Sequence, residues 1–187
     1  TKMKKALLAI TVLFFLSVMT AYSQPVDKYA RKGQWEIGGT IGFTNTTPVS
    51  NGHTGESYSV FNFSPTVSYF VEDGFEIGGM FDIKYYDVEN TRTTMYTLYA
   101  VPSYNFKTKS MFYPYVQGQI GFNGYSNGSS RSGIAWALEG GVKANFVTNG
   151  LLKFGINYNQ ITLNSSGSTE RNGINVISAV LGAGLFF

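Results

Sequence analysis

The chain has no cysteine and a single histidine, His53. The first absence removes disulfides, thiolate nucleophiles and cysteine metal sites, and with them a lipid anchor, which needs a cysteine at the processing site. One histidine and scattered carboxylates offer no plausible metal-ligand set, so no metal site is expected. No glycine-rich phosphate loop follows a strand and opens a helix, and no cofactor site is expected. Charged residues make up only 13% of the chain, about half the usual share of a soluble domain. Only one long apolar run exists, residues 6–19, and it falls short of the roughly 20 residues of a spanning helix.

That run has the grammar of an export signal. Met3-Lys4-Lys5 is a basic start, residues 6–19 an apolar core, and Ala21-Tyr22-Ser23 places small residues where a signal peptidase reads. Residues 1–23 are therefore expected to be a signal peptide and residues 24–33 a short N-terminal segment. The formal net charge of +3 belongs to the signal. Removing Lys2, Lys4 and Lys5 leaves eleven basic residues against eleven acidic ones. A nucleic-acid partner is not expected. An exported chain without disulfides must draw its stability from closed hydrogen bonding and apolar burial.

Residues 34–187 read as one domain of short alternating segments. Residues 34–44 place Trp35, Ile37, Gly39, Ile41 and Phe43 on one face and Glu36, Gly38, Thr40, Gly42 and Thr44 on the other. A period of two is a strand with one apolar and one polar face. Residues 58–71, 75–86, 94–106, 112–123, 132–147, 151–163 and 172–187 repeat it. Within 94–106, Tyr99 and Val101 share the polar face, and 172–187 is apolar on both faces. Residues 72–74, 107–110 and 148–150 are tight connections, two of them carrying Asp-Gly or Asn-Gly, which accept positive φ. Residues 45–57, 87–93, 125–131 and 164–171 are longer and rich in Asn, Ser, Thr and Gly. Pro65 and Pro102 lack a backbone donor, so a bulge or a missed ladder bond is expected at each.

Short turns at one end and long polar loops at the other are the arrangement of a transmembrane barrel. The polar face supports it. It holds mainly small polar residues plus Glu36, Glu76, Asp82, Lys84, Glu139, Lys143 and Lys153. A barrel of eight strands has an interior just wide enough for side chains, so bulky aromatics are expected on the lipid side, in girdles at both ends. An odd strand count would leave an edge in lipid, which closure forbids. The expected fold is all-β: an eight-stranded antiparallel up-and-down transmembrane β-barrel with short periplasmic turns and longer extracellular loops.

The paired faces and the ending Ala183-Gly184-Leu185-Phe186-Phe187 resemble the OmpA-like and OmpX-like eight-stranded barrels and, in style, the outer-membrane β-barrel domain proteins of Bacteroidota. The resemblance covers residues 35–187. It implies residence in the bacterial outer membrane among lipid and lipopolysaccharide, transit with periplasmic chaperones, and recognition of Phe187 by the barrel-assembly machinery. It also sets the last strand's register, with Phe187 outward. The interior charges are expected to pair into a plug, giving a non-enzymatic structural or surface-interaction barrel, with an unidentified extracellular ligand possible. Two alternatives stand beside it: a narrow channel for small solutes or hydrophobic compounds, and a lipid-modifying enzyme. The last would rest on His53 in the first long loop, near Ser50 and Ser57, although no spacing there makes a triad. No catalytic residue is assigned.

Overall fold

The computed structural model describes residues 29–46, 49–50, 53–54, 58–88, 91–126, 130–164 and 171–187. The strands are β1 (Trp35–Thr46), β2 (Val49–Ser50), β3 (His53–Thr54), β4 (Tyr58–Glu72), β5 (Phe75–Val88), β6 (Thr91–Asn105), β7 (Phe112–Ser126), β8 (Ser130–Val147), β9 (Gly150–Asn164) and β10 (Arg171–Phe186). Strands β2 and β3 form a small ribbon within the first long connection, Val49 opposite Thr54 and Ser50 opposite His53. The other eight close into an antiparallel barrel in the order β1-β10-β9-β8-β7-β6-β5-β4. Closure gives both neighbours to every wall strand, as hydrocarbon demands of backbone polar groups.

The facing follows the sequence pattern. Leu138, Ile156 and Phe122 are 60%, 66% and 75% exposed, on a surface that lipid covers. Phe187 and Leu185 point outward and Phe186 inward, so the last strand has the expected register, with Glu36 opposite Phe186 and Ile37 opposite Leu185. Trp35 with Tyr69 and Tyr104 with Phe106 form ring pairs at the turn end. Trp136 with Tyr158 and Phe81 with Tyr96 do so toward the loop end. Rings with an apolar body suit the headgroup boundary at both depths.

The strands run further toward the loops than the sequence pattern implies. Only 89–90 and 127–129 separate the middle hairpins, where longer connections are expected. Cross-strand pairing continues past the apolar band, with Asp87 opposite Arg92 and Ser126 opposite Ser130 in the backbone register. The expectation at the prolines holds. The β4–β5 ladder stops at Phe63↔Ile83 and resumes in the same register at Thr66↔Met80. The β6–β7 ladder skips from Ala100↔Ile120 to Ser103↔Gln117. Register shifts occur instead beside the turns, between Phe70 and Glu72 and between Asn145 and Val147. Gly74 closes the Asp73-Gly74 turn with φ of +80°, and a Cβ there would meet the Asn105 carbonyl oxygen at 2.7 Å.

The seam between β1 and β10 is the shortest of the wall. Its pairs run from Glu36↔Phe186 to Ile41↔Leu181. Above that rung β1 pairs with β4 as far as Thr46↔Tyr58, and β10 with β9 as far as Arg171↔Asn164.

The facing predicts a direct stability test. Arginine in place of Leu138 puts a charge into the lipid band and should cost about 2–4 kcal/mol. Urea titration of the barrel refolded in vesicles reads the loss, with Leu138→Ala as the control. An equal effect of both variants would mean that Leu138 does not face lipid.

Candidate functional site: the charged lumen

One barrel interior receives the inward residues of all eight wall strands, and the ionisable ones sort into pairs because an unpaired charge there is costly. At the base, Lys143 of β8 is 2% exposed. Its ammonium donates to Glu36 Oε2 at 2.8 Å, Glu36 Oε1 at 3.0 Å and Glu76 Oε1 at 2.7 Å. Two carboxylates thus share one lysine. The surplus negative charge is met by neutral donors: Ser68 Oγ reaches Glu76 Oε2 at 2.7 Å, and Asn105 Nδ2 reaches Glu76 Oε1 at 3.0 Å. Charge-assisted bonds of this kind are stronger than neutral ones.

Higher up, Lys153 meets Glu139 at 2.8 Å and donates to Gln117 Oε1 at 3.0 Å. Glu139 also accepts from Tyr115 (2.7 Å), Asn157 (3.0 Å) and Gln119 (3.2 Å). The Lys153 ammonium sits 4.8 Å from the Tyr115 ring centroid. On the far wall Lys84 pairs with Asp82 at 2.6 Å, and Ser64 donates to the same carboxylate at 2.7 Å. Every interior charge named from the sequence is therefore paired, as expected.

The lumen is less purely polar than expected. Phe70, Tyr113 and Tyr115 are buried inside, where bulky rings are expected to face lipid; Tyr99, on the polar face by pattern, and Phe186, inward by the register of the last strand, are buried there as expected. Parity alone places Tyr113 and Tyr115 on the face of Gln117 and Gln119; residue type argues the opposite, and parity wins. Tyrosine accommodates this because its hydroxyl finds a partner, as Tyr99 does with Asn159 at 3.0 Å. Around Tyr99, Met80, Met95, Val101, Ala135 and Ile161 form an apolar cluster inside the wall. At the base, Tyr29 and Ala30, from the short N-terminal segment, join Phe70, Tyr113, Leu151 and Phe186 in a second one. Nothing in the alternation of the strands marks Tyr29, since it precedes them.

Between the two lower networks lies a pocket of about 20 Å³, lined among others by Glu36, Ser68, Glu76, Gln117, Lys143 and Lys153. That is room for about one water. Among the described residues, no three or more His, Asp and Glu side chains converge as metal ligands. The His53 backbone lies in the β2–β3 ribbon; its side chain, that of Ser50, and Ser57 lie outside the described residues.

A closed eight-stranded wall, an apolar outer belt with aromatic girdles and a packed, charge-paired interior define an integral outer-membrane β-barrel. The family model of the outer membrane protein beta-barrel domain matches residues 8–187, and the chain belongs to that family. Among solved structures it is similar to Neisserial surface protein A, at 21% identity and a TM-score of 0.58, with 83% of this chain and 96% of that one covered. OprG from Pseudomonas aeruginosa aligns at 14% identity and a TM-score of 0.51, covering 84% and 97%. The N-terminal β-barrel domain of OprF from the same organism aligns at 18% and 0.50, covering 83% and 98%. These likenesses concern the fold. No curated protein matches the chain in sequence.

Two outcomes follow. Lys143→Met leaves two buried carboxylates without their cation and should cost about 3–5 kcal/mol of barrel stability, read as a fall in the urea midpoint; no change would mean the ion pairs are not buried in the membrane-embedded barrel. At the turn end, the Lys107 ammonium and then the Lys32 N–H hold the Asp73 carboxyl below its ordinary range. A carboxyl with a lowered folded pKa contributes fully above its unfolded value and loses that contribution as pH falls through the folded one. The Lys32 amide, which donates to Asp73 at 2.9 Å, should exchange faster with solvent as pH is lowered through the carboxylate range, after correction for intrinsic exchange. An unchanged protection would show that the Asp73 bond does not hold it.

Proposed function

We propose that this barrel is a non-enzymatic structural or surface-interaction protein, with its long loops outside the cell as the surface met by ligands, host surfaces or other envelope proteins. In this reading residues 1–23 are its signal peptide, lipopolysaccharide surrounds its outer half, chaperones carry it across the periplasm, and the assembly machinery reads Phe187. The observation that supports a non-conducting role is the Lys143 cluster: Glu36 of β1, Glu76 of β5 and Lys143 of β8 meet across the lumen. A solute passing the base would have to break charge-assisted bonds in a space with room for about one water.

A second reading, a route for hydrophobic compounds, is favoured by one observation. The short β1–β10 seam stands in a wall that also encloses the Met80–Met95–Tyr99 cluster. An apolar molecule entering from the loop side could leave sideways into the membrane without crossing the base.

Planar-bilayer recording and a crosslink separate the two. The first reading predicts no stable, single-sized conductance from the purified barrel; such a conductance, altered by Lys143→Met, would overturn it. The second predicts that cysteines at Ile41 and Leu181, which face each other, oxidise readily. Cysteines at Phe43 and Ala179, two rungs beyond the last pair of that seam, should oxidise far less readily, because a disulfide needs closely apposed backbones. Equal oxidation of both pairs would close the seam and remove that reading.

A further inference from the structure

The base of the barrel treats Tyr29 as a binding site treats a ligand. The side chain is 1% exposed. Its ring meets Phe70, Tyr113 and Phe186 edge-on, at centroid distances of 5.5, 4.9 and 5.1 Å. Those rings come from β4, β7 and β10, so the cage is built by strands far apart in the chain. The hydroxyl donates to Glu36 Oε2 at 2.5 Å and accepts from Lys143 Nζ at 2.8 Å. A phenol has one proton to give and lone pairs to offer, and here a carboxylate takes the first while an ammonium uses the second. Asn105 Oδ1 lies within 3.3 Å of the same oxygen.

The segment carrying this ring is outside the ladder that closes the barrel. Its backbone is tied by Gly33 N–H to the Phe70 carbonyl, Phe70 N–H to the Gln34 carbonyl and Gly74 N–H to the Ala30 carbonyl, each at 2.9 Å. Ala30 adopts a φ of 61°, in the left-handed region that a residue with a Cβ rarely enters. That strained step turns the chain so that Tyr29 enters the mouth. The ladder pairs of β1 do not include it, and a water-sized pocket lined by Glu36, Ser68, Glu76 and Lys143 adjoins the two groups that hold the hydroxyl.

We propose that the periplasmic base of the barrel is a phenol-binding site whose resident occupant is Tyr29, and that this side chain, carried by residues 29–33, thereby acts as a tethered stopper between the charged lumen and the periplasm. The ligand class is a para-substituted phenol: rings on three sides fix the plane, and the Glu36–Lys143 pair reads the hydroxyl. The site is separate from the outer loops on which the proposed role rests, so either can fail without the other.

The chain lacks cysteine, which makes a single reporter clean. Ser68→Cys places a thiol in the pocket lining. In the barrel purified into vesicles, that thiol should resist a charged methanethiosulfonate reagent while Tyr29 is present. Adding Tyr29→Ala should speed labelling at least tenfold. Added p-cresol should restore protection to the Tyr29→Ala barrel at concentrations at least tenfold below those of toluene, which lacks the hydroxyl. Folding of each variant is checked by its heat-modifiable gel migration and its far-ultraviolet β signal. Should Tyr29→Ala fail to fold, Tyr29→Phe keeps the ring and removes the hydroxyl, and it should label several-fold faster than the parent. Rapid labelling with Tyr29 in place would overturn the stopper, as would protection that persists in Tyr29→Ala. Equal protection by p-cresol and toluene, or no effect of Tyr29→Phe, would overturn phenol recognition.

Discussion

A backbone N–H or C=O in hydrocarbon has no water to turn to, and the rest of this structure follows from that constraint. It disfavours free edges across the apolar belt, so the sheet closes on itself, least completely at the β1–β10 seam. Closure fixes two faces, one toward lipid and one toward a lumen whose width depends on strand number. With eight wall strands the lumen holds side chains and little else. A chain that puts Glu36, Glu76, Asp82, Glu139, Lys84, Lys143 and Lys153 into that space must pair them, and it does. The charge network is thus a consequence of closure, and its Lys143 cluster locks the closed form by bonding β8 to β1 and β5, which are not its neighbours.

The same logic explains the layering. Polar bonding dominates the lower lumen, with the Lys143 and Glu139 networks one above the other. Toward the loops the Lys84–Asp82 pair shares the interior with the apolar cluster around Tyr99. The base carries a second apolar layer, made by Tyr29, Phe70, Tyr113, Leu151 and Phe186. Rings there shield the ion pairs from the periplasm and lower the local dielectric, which strengthens each bond above them. An aromatic floor beneath buried charges couples the N-terminal segment to the wall.

Much of this was legible in the sequence. Alternation within 34–44 or 132–147 assigns faces strand by strand, and Phe187 sets the register of a last strand that pattern alone leaves ambiguous. The seven interior charges could be named because each breaks an otherwise small polar face. Their partners could not. Lys143 is 107 residues from Glu36 and 67 from Glu76, and local pattern carries no information about which strands stand across a lumen. Tyr113 and Tyr115 were hidden for another reason: a ring with a hydroxyl suits a headgroup boundary and a polar interior equally well, and only strand parity separates the two. Tyr29 had no signal, because it lies before the first strand and its role depends on three rings brought together by closure.

The proposed non-conducting role rests on Lys143 as a buried, fully bonded ammonium. Nitrogen-15 NMR of lysine side chains, with the barrel in lipid nanodiscs, tests it most directly. Lys143 should give an ammonium resonance that exchanges slowly with water and shows through-space contacts to the side chains of Glu36 and Glu76. An ammonium exchanging as fast as that of the exposed Lys109, with no such contacts, would contradict it.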